Sequence, residues 1–297
     1  MPLVTIFTPT YNRAYTLPKL YDSLCKQTCK DFIWLIVDDG STDGTQSLIS
    51  LWTTKADFPI VYHKQKNGGK MRAHNRGVSL CTTPLFVCVD SDDCMSTAAI
   101  ASIVTHWETI EKNGTIAGMI AYCSICQDDG NFMIRCKFPF QGISTIRQLY
   151  NRGFFGDTTL VFKTEVIRCH PFLEIEGEKF STESYAYEQI DRNYSYLLVN
   201  ESWILCTYMP DGYTQNEKRL YRENPKGWAY YYNQRVAYAP STHLKQKIGY
   251  TMLFFIFARR AKFRHIYQMF AWKTPLYPLL WLLSYYYEYK WREKYPK

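Results

Sequence analysis

Four short apolar runs, each ending in polar residues, dominate the first third of this chain: LVTIFT at 3–8, FIWLIV at 32–37, FPIVYHK at 58–64 and PLFVCVD at 84–90. They are short and rich in β-branched and aromatic residues, which reads as buried strands. Between them, LPKLYDSLCKQT places Leu17, Leu20 and Leu24 at helical spacing, and TQSLISLW and NGGKMRAHNRGVSLC also read as helices. Alternating strand and helix with near-continuous apolar strands dictates an α/β architecture, a mostly parallel, Rossmann-like central sheet with helices on both faces. Ligands of such sheets gather beyond the carboxyl ends of the strands. Here those ends carry TPTYNR, DDGSTDGT and DSDD, so three polar loops are expected to converge on one edge.

The loops hold groups with definite chemistry. Asp90, Asp92 and Asp93 stand almost side by side at the end of an apolar run, and like charges this close need an offset. A hard divalent cation supplies one, and a solvated turn is the alternative. If the backbone stays extended, Asp90 and Asp92 share one face and Ser91 points away. Asp38 and Asp39 can accept hydrogen bonds from a base or a ribose, or serve the next helix, for which Thr42 or Asp43 is the expected N-cap. Lys70, Arg72 and Arg76 follow a glycine pair and can meet a pyrophosphate or form a solvated basic helix start.

Charge is divided unevenly along the 297 residues. Residues 216–297 carry 16 Lys and Arg against 4 Asp and Glu, a net of +12, whereas residues 1–215 carry a net of −4. That tail also concentrates aromatic residues, and its last apolar stretch, of about a dozen residues, falls short of the ~20 that span a bilayer. Lys, Arg, Trp and Tyr beside short apolar segments suit helices lying on an anionic membrane surface. Packing back on the body of the protein, or a homodimer contact, is the alternative use. No nucleic-acid partner is expected, because no recognisable nucleic-acid-binding motif accompanies the charge. The opening MPLVTIFTPTYNR lacks the basic and long apolar regions of a secretory signal. Ten cysteines include the pair Cys123 and Cys126 but no second pair at zinc-ribbon spacing, so reduced thiols in a cytoplasmic setting are expected.

Taken together, VTIFTPTYNRAYTLPKLYDSLCKQTCKDFIWLIVDDGSTDGT, NGGKMRAHNRGV and FVCVDSDD resemble the family 2 glycosyltransferases of GT-A fold, in the family's order and at its intervals. The resemblance implies inverting transfer from a nucleotide-diphosphate sugar, with UDP as the expected nucleotide, in bacterial polysaccharide or capsule assembly. It implies that Thr8, Pro9, Tyr11 and Arg13 shape the nucleoside pocket, and that Asp39 binds the base while Asp38 supports that loop. Asp90, with Ser91 beside it, would face the ribose or metal-bound water. Asp92 would ligate Mn²⁺ or Mg²⁺, and Lys70 and Arg72 would assist at the phosphates. Inversion needs a general base for the acceptor hydroxyl. The family's usual Glu-Asp pair is absent, which makes Glu183 the choice, with Glu188 and Asp191 as rivals. Asp157, in FFGDTTLVFKTEV, would border the acceptor or donor pocket, and MPDGYTQN at 209–216, with Gly212 as hinge, resembles a loop that closes over the donor.

On this reading residues 1–215 form the GT-A catalytic domain, with a nucleotide-binding half at 1–95 and an acceptor half at 96–215. Residues 216–297 form a C-terminal helical, aromatic and basic extension. The expected partners are a UDP-sugar, a glycan or lipid-linked glycan acceptor and the anionic inner face of the cell membrane. A non-catalytic nucleotide-sugar-binding protein of the same fold is the main rival. A nucleotidyltransferase is disfavoured, because TPTYNRAYT replaces the glycine-rich basic loop it would need after the first strand.

Overall fold

The computed structural model describes residues 2–294 apart from 128–129, 214 and 241. In chain order the elements are β1 (Val4–Thr10), α1 (Leu17–Cys25), β2 (Phe32–Asp38), α2 (Thr45–Thr53), β3 (Ile60–Lys64), α3 (Lys70–Leu80), β4 (Leu85–Cys88), β5 (Cys94–Met95), α4 (Ala99–Ile110), β6 (Ile116–Cys126), β7 (Phe132–Met133) and β8 (Gly142–Ser144). There follow α5 (Ile146–Asn151), β9 (Thr158–Lys163), α6 (Thr164–Cys169), α7 (Ser184–Ile190), β10 (Ser195–Cys206), α8 (Glu217–Glu223), α9 (Pro225–Tyr238), α10 (Leu244–Arg260), α11 (Ile266–Met269) and α12 (Tyr277–Lys294). The chain divides into two compact units: residues 1–172 with 186–210, and residues 173–185 with 211–297.

The first unit is built on a ten-stranded sheet whose main path runs β3-β2-β1-β4-β9-β6-β10-β5. Strands β3, β2, β1 and β4 are parallel, as the strand–helix alternation predicts. Beyond β4 the sheet is mixed: β9 runs antiparallel to both β4 and β6, while β6 and β10 are parallel to each other. The register brings the ends of β1, β2, β4, β6 and β10 and the start of β9 to one edge.

Period-two patterning explains why both faces are covered. Val4 and Ile6 of β1 and Phe32, Trp34 and Ile36 of β2 pack with Leu17, Leu20 and Leu24 of α1 on one face. Phe7, Leu35 and Val37 pack with Ala73 and Val78 of α3 on the other. Trp34 is fully buried, and its indole N–H donates to Thr8 Oγ1 at 3.0 Å, which removes the penalty of a buried polar atom. Truncating such a side chain to Ala costs about 3–5 kcal/mol. Helix α3 lies tight on β1 because residue 77 is Gly: a Cβ there would stand 2.2 Å from the Phe7 ring. Gly118 permits the same closeness within the sheet, where a Cβ would stand 1.9 Å from the Val161 carbonyl oxygen.

The second unit is helical, and its core is largely aromatic: Trp228, Tyr231 and Tyr232 of α9, Phe254, Phe255 and Phe257 of α10, and Phe270. Helix α12 is fastened to α10 through the buried Glu288, which accepts from Arg259 at 2.8 Å and Arg260 at 3.3 Å. The segment 173–185 belongs to this unit for a local reason. Glu178 accepts from the N–H groups of Lys226 and Gly227 in the first turn of α9 (2.7 and 2.8 Å), and Asn224 Oδ1 accepts in return from the N–H groups of Lys179 and Phe180. Two otherwise orphaned helix N–H groups are thereby satisfied by a carboxylate, which the helix dipole also favours. Among the described residues no helix is long and apolar enough to cross a membrane.

Candidate active site

The loops after β1 and β2 are stitched together. Asn12 takes a left-handed conformation (φ 53°), donates its N–H to Ser41 Oγ at 2.8 Å, and accepts from the Thr42 N–H at 2.8 Å. Asp43 accepts from the N–H groups of Ala14 and Thr45, both at 3.1 Å. Burial alone would raise its carboxyl, but the hydrogen bonds from Thr45 and Ala14 outweigh this and hold it below the usual range. The expected N-cap at Thr42 or Asp43 needs correction. Helix α2 begins at Thr45 with Gly44 in the cap position, and Asp43 reaches the Thr45 N–H from one residue further out. Of the residues expected at a nucleoside pocket, Thr8 and Pro9 are buried strand residues, and Thr8 faces Trp34. Tyr11 is exposed, and Arg13 donates to the Tyr15 hydroxyl.

Both carboxylates ending β2 are buried and satisfied by the protein. Asp38 accepts from the Ser41 N–H at 2.7 Å and the Tyr62 hydroxyl at 2.6 Å. Burial and the adjacent Asp38 push the Tyr62 phenol up. Asp39 holds four hydrogen bonds. Its Oδ1 accepts from Gln65 Nε2 (2.7 Å) and Gly68 N–H (2.9 Å), and its Oδ2 from Asn67 Nδ2 (3.1 Å) and Gly69 N–H (2.7 Å). It therefore organises the glycine loop that leads into α3, where Gly69 takes a positive φ of 97° open to glycine at little cost. Arg72 Nη1 reaches the Gly68 carbonyl at 2.6 Å and Arg76 Nη1 the Lys64 carbonyl at 3.4 Å.

Lys70, the first residue of α3, meets the aspartate loop directly, with Nζ 2.8 Å from Asp90 Oδ2. The loop is a turn closed by the Asp93 N–H on the Asp90 carbonyl at 3.1 Å, with Ser91 buried within it. Strand β4 has already ended at Cys88, so the extended alternation that would set Asp90 and Asp92 on one face does not apply. Burial and the Asp90 charge push the Asp92 carboxyl up, opposed by Arg13 and Lys70. Asp93 is pushed up to about 8 by burial and by Asp90 and Asp92, while its Oδ1 accepts the Thr207 N–H at 3.1 Å. Three mutually repelling carboxylates and two cations are thus gathered at the edge where β1, β4 and β10 end.

No three His, Cys, Asp or Glu side chains among the described residues converge to hold a metal by themselves. A hard cation does not require this. Mg²⁺ is commonly bound through one or two carboxylates, with waters and substrate phosphates completing the octahedron. Asp92, whose carboxyl is pushed up by burial and by Asp90, has the chemistry such an ion takes.

The three candidates for a general base lie in different surroundings. Asp191 accepts from the N–H groups of Ile146 (3.1 Å) and Arg147 (2.7 Å) at the start of α5, and burial pushes its carboxyl up to about 6. Glu188 lies close enough to add to that shift. Glu183 falls in the second unit, in the turn preceding α7, where Thr182 Oγ1 accepts the Ser184 N–H at 3.3 Å. Gly212 also lies in the second unit, and its carbonyl accepts from Asn216 Nδ2 at 2.9 Å; Thr214 of the same stretch lies outside the described residues.

The chain matches the sequence profile of Glycosyl transferase family 2 over residues 5–170, more than half its length. It belongs to that family. Among family relatives, a PGL/p-HBAD biosynthesis glycosyltransferase of Mycobacterium bovis is 28% identical over 165 residues, covering 52% of this chain and 61% of the relative. Glycosyltransferase GlyA of Streptococcus pneumoniae is 30% identical over 188 residues, 63% of this chain and 26% of GlyA. The chain therefore spans less than two thirds of these relatives. Solved structures share the fold at low identity. Residues 1–349 of S. aureus TarS in complex with UDP-GlcNAc superpose with a TM-score of 0.61 at 15% identity, covering 95% of this chain and 79% of that one. The mannosyltransferase PcManGT of Pyrobaculum calidifontis, in complex with GDP-Man and Mn²⁺, gives 0.55 at 18% identity, covering 99% and 82%. The GT-A α/β fold with a C-terminal helical region and glycosyltransferase membership agree with the expectation from the sequence.

The family motifs alone did not reveal Tyr208, whose hydroxyl donates to Asp157, or Thr207, which anchors Asp93. Both follow the last strand, more than fifty residues from their partners, and carry no local signature.

Proposed function

We propose that this glycosyltransferase moves a sugar from a UDP-sugar to a hydroxyl of a glycan acceptor, lipid-linked, with inversion at the transferred carbon, in polysaccharide assembly. The observation that carries the reading is the aspartate turn Asp90–Asp93 facing Lys70 and Arg13 at the carboxyl edge of the sheet. UDP as the nucleotide is supported by the fold shared with TarS, which was solved with UDP-GlcNAc.

Asp92 would hold Mn²⁺ or Mg²⁺, with Asp90 facing the ribose or metal-bound water, and the ion when bound would neutralise charge gathering on the departing nucleoside diphosphate. Lys70 and Arg13 add positive charge on the same side. Asp39 sets the glycine loop and so positions Lys70; Asp38, locked to Ser41 and Tyr62, keeps the neighbouring turn rigid. Thr8, Pro9 and Tyr11 would border the nucleoside, and Arg72 the phosphates. Glu183 takes the proton from the acceptor hydroxyl. Glu188 and Asp191 are the rivals for that role, Asp191 already accepting from the N–H groups of Ile146 and Arg147.

We infer also that the second unit attaches peripherally to an anionic membrane on its cytoplasmic face. Leu279, Leu282, Leu283 and Tyr286 are exposed along α12, within a segment of net charge +12. Apolar side chains at the headgroup boundary and positive charge towards anionic lipid would act together.

The test is donor hydrolysis and transfer with Mn²⁺ across a panel of nucleotide sugars. Asp92→Asn is expected to lose activity by at least about 100-fold, the scale on which one preorganised charge contributes. Wild-type activity in that variant would remove the metal assignment. UDP binding without turnover for any acceptor would favour a binding protein of the same fold.

A further inference from the structure

The carboxyl end of β6 carries a surface that the nucleotide reading leaves unused. Strand β10 flanks β6 on one side as far as Cys206, opposite Ile125. On the other side β9 begins at Thr158, opposite Tyr122. Beyond that point the same lane is taken by β7, with Met133 opposite Ile125 and Phe132 opposite Cys126. The chain leaving β7 and the chain entering β9 therefore meet in this lane, and a Cβ on Gly156 would stand 3.8 Å from the Arg135 Cβ.

Burial divides the side chains here. Phe154 is buried, its ring centre 5.2 Å from that of Phe138, which lies 4.2 Å from Tyr122. Its neighbour Phe155 is 62% exposed, and Phe132 and Met133 are 43% and 51% exposed. Successive strand residues point to opposite faces, so packing on either face of β7 would cover one of its two residues. Neither is covered. Apolar residues scattered singly over a surface need no partner, but three in one lane form a patch.

The patch is also basic. Residues 130–156 hold Arg135, Lys137, Arg147 and Arg152 and no Asp or Glu, within a region, 1–215, of net charge −4. Asp128, Asp129 and Asp157 bound the stretch, and Asp157 accepts the Tyr208 hydroxyl. Arg135, Lys137 and Arg152 are exposed, and the two guanidinium groups lie over the rings of Tyr208 (5.5 Å) and Phe140 (4.5 Å). Exposed Phe and Met beside such cations suit the headgroup boundary of an anionic bilayer, where apolar groups enter and the cations stay among phosphates. A second copy of the chain, packed symmetrically, would set these cations against themselves.

We propose that this patch, Phe132, Met133 and Phe155 with Arg135, Lys137 and Arg152, docks the first unit on an anionic lipid bilayer. The proposal rests on the glycosyltransferase reading with a lipid-linked acceptor. The patch lies at the edge of the sheet that also carries the aspartate turn, so docking there brings the acceptor's membrane to the edge where the sugar is transferred. The contact belongs to the first unit and is additional to the one proposed for α12.

Hydrogen exchange of the full chain reads the contact locally and keeps it apart from α12. Vesicles of phosphatidylcholine mixed with phosphatidylglycerol are compared with vesicles of phosphatidylcholine alone, without nucleotide. Amides of residues 130–137 and 152–156 are expected to exchange more slowly with the mixed vesicles only. In vesicle binding, Lys137→Gln and Arg152→Gln are each expected to lose about fivefold, the scale of one basic residue at an anionic surface. The pair Phe132→Ser, Phe155→Ser is expected to lose at least about 10-fold through lost apolar burial. UDP affinity with Mn²⁺ should match wild type in every variant, which shows that they are folded. Slower exchange confined to α12, with the variants binding vesicles as tightly as wild type, overturns the proposal. Protection of the patch on raising protein concentration without vesicles also overturns it and makes this face a contact between copies. Failure of the wild type to bind UDP overturns the glycosyltransferase reading instead, and the nucleotide-free exchange measurement keeps the two failures distinct.

Discussion

Replacing Asp39 with Asn separates two accounts of this carboxylate. If its main task is to organise the glycine loop, the substitution should be felt without any nucleotide present. An amide at this position keeps one acceptor oxygen and turns an NH₂ towards two donors. Of the four hydrogen bonds, one pair, either Gln65 with Gly68 or Asn67 with Gly69, loses its acceptor and faces another donor instead. Two lost bonds to a charged acceptor at about 1.5 kcal/mol or more each, less the relieved cost of burying a charge, leave about 2–4 kcal/mol of destabilisation. With a urea m-value of about 2 kcal/mol/M, the midpoint of the sheet-containing unit should fall by about 1–2 M. UDP binding should weaken as well, since the loop feeds directly into Lys70 and its contact with Asp90. The reasoning is refuted if Asp39→Asn loses UDP binding while its ligand-free urea midpoint stays within about 0.2 M of wild type, well inside the shift expected from that m-value. That outcome would make Asp39 a direct ligand of the base.

Gly77→Ala should destabilise the protein despite alanine's better helix propensity of about 1 kcal/mol, because the new Cβ would stand 2.2 Å from the Phe7 ring; thermal melting gives the sign. Asp191 gives a pH signature. Its carboxyl is raised in the folded state to about 6, so the stability it contributes is fully present below the unfolded value near 4 and is lost as pH rises through 6. The stability difference between wild type and Asp191→Asn should therefore shrink by up to about 3 kcal/mol from pH 4 to 7, and a constant difference in urea titrations would contradict this. Flotation with vesicles of anionic and zwitterionic lipid should recover wild type only with the former. The triple variant Leu279→Ser, Leu282→Ser, Tyr286→Ser should lose that recovery at low salt, whereas equal recovery would count against α12 as the contact.

What could be read from the sequence followed from local pattern. Strands β1 to β4 and the helices between them announce themselves through period-two and helical spacing, and the loops that end them carry residues with conspicuous chemistry. The insertion of β9, antiparallel, between β4 and β6 leaves no such mark. Its register pairs Leu85 with Lys163 and Gly118 with Phe162, and only the geometry of a glycine that admits Val161 hints at that closeness. The segment 173–185 is another case. It reads as a continuation of the acceptor half, yet Glu178 and Asn224 bind it reciprocally to the start of α9, through donors 44–49 residues away in sequence. Acidic residues there are easily taken for catalytic ones, whereas Glu178 is occupied in capping a helix.

The three aspartates of the turn illustrate how geometry sorts residues that sequence presents as equals. Asp93 is tied to the end of β10 through Thr207, and its neutral form is the favoured one near neutral pH, so it contributes more to joining strands than to holding charge. Asp90 is ion-paired with Lys70, and its charge is the one that raises both neighbours. Asp92 is pushed up by burial and by Asp90, with Arg13 and Lys70 opposing, so added positive charge brings its carboxyl back down. A diphosphate brings negative charge to the same place, which would reverse that benefit unless a cation arrives with it. The electrostatics therefore couple the two ligands: UDP should bind more tightly with Mn²⁺ than without, and neutralising Asp92 as Asn should weaken that coupling. Equal UDP affinity with and without Mn²⁺ in the wild type would break the link between the aspartate turn and the diphosphate.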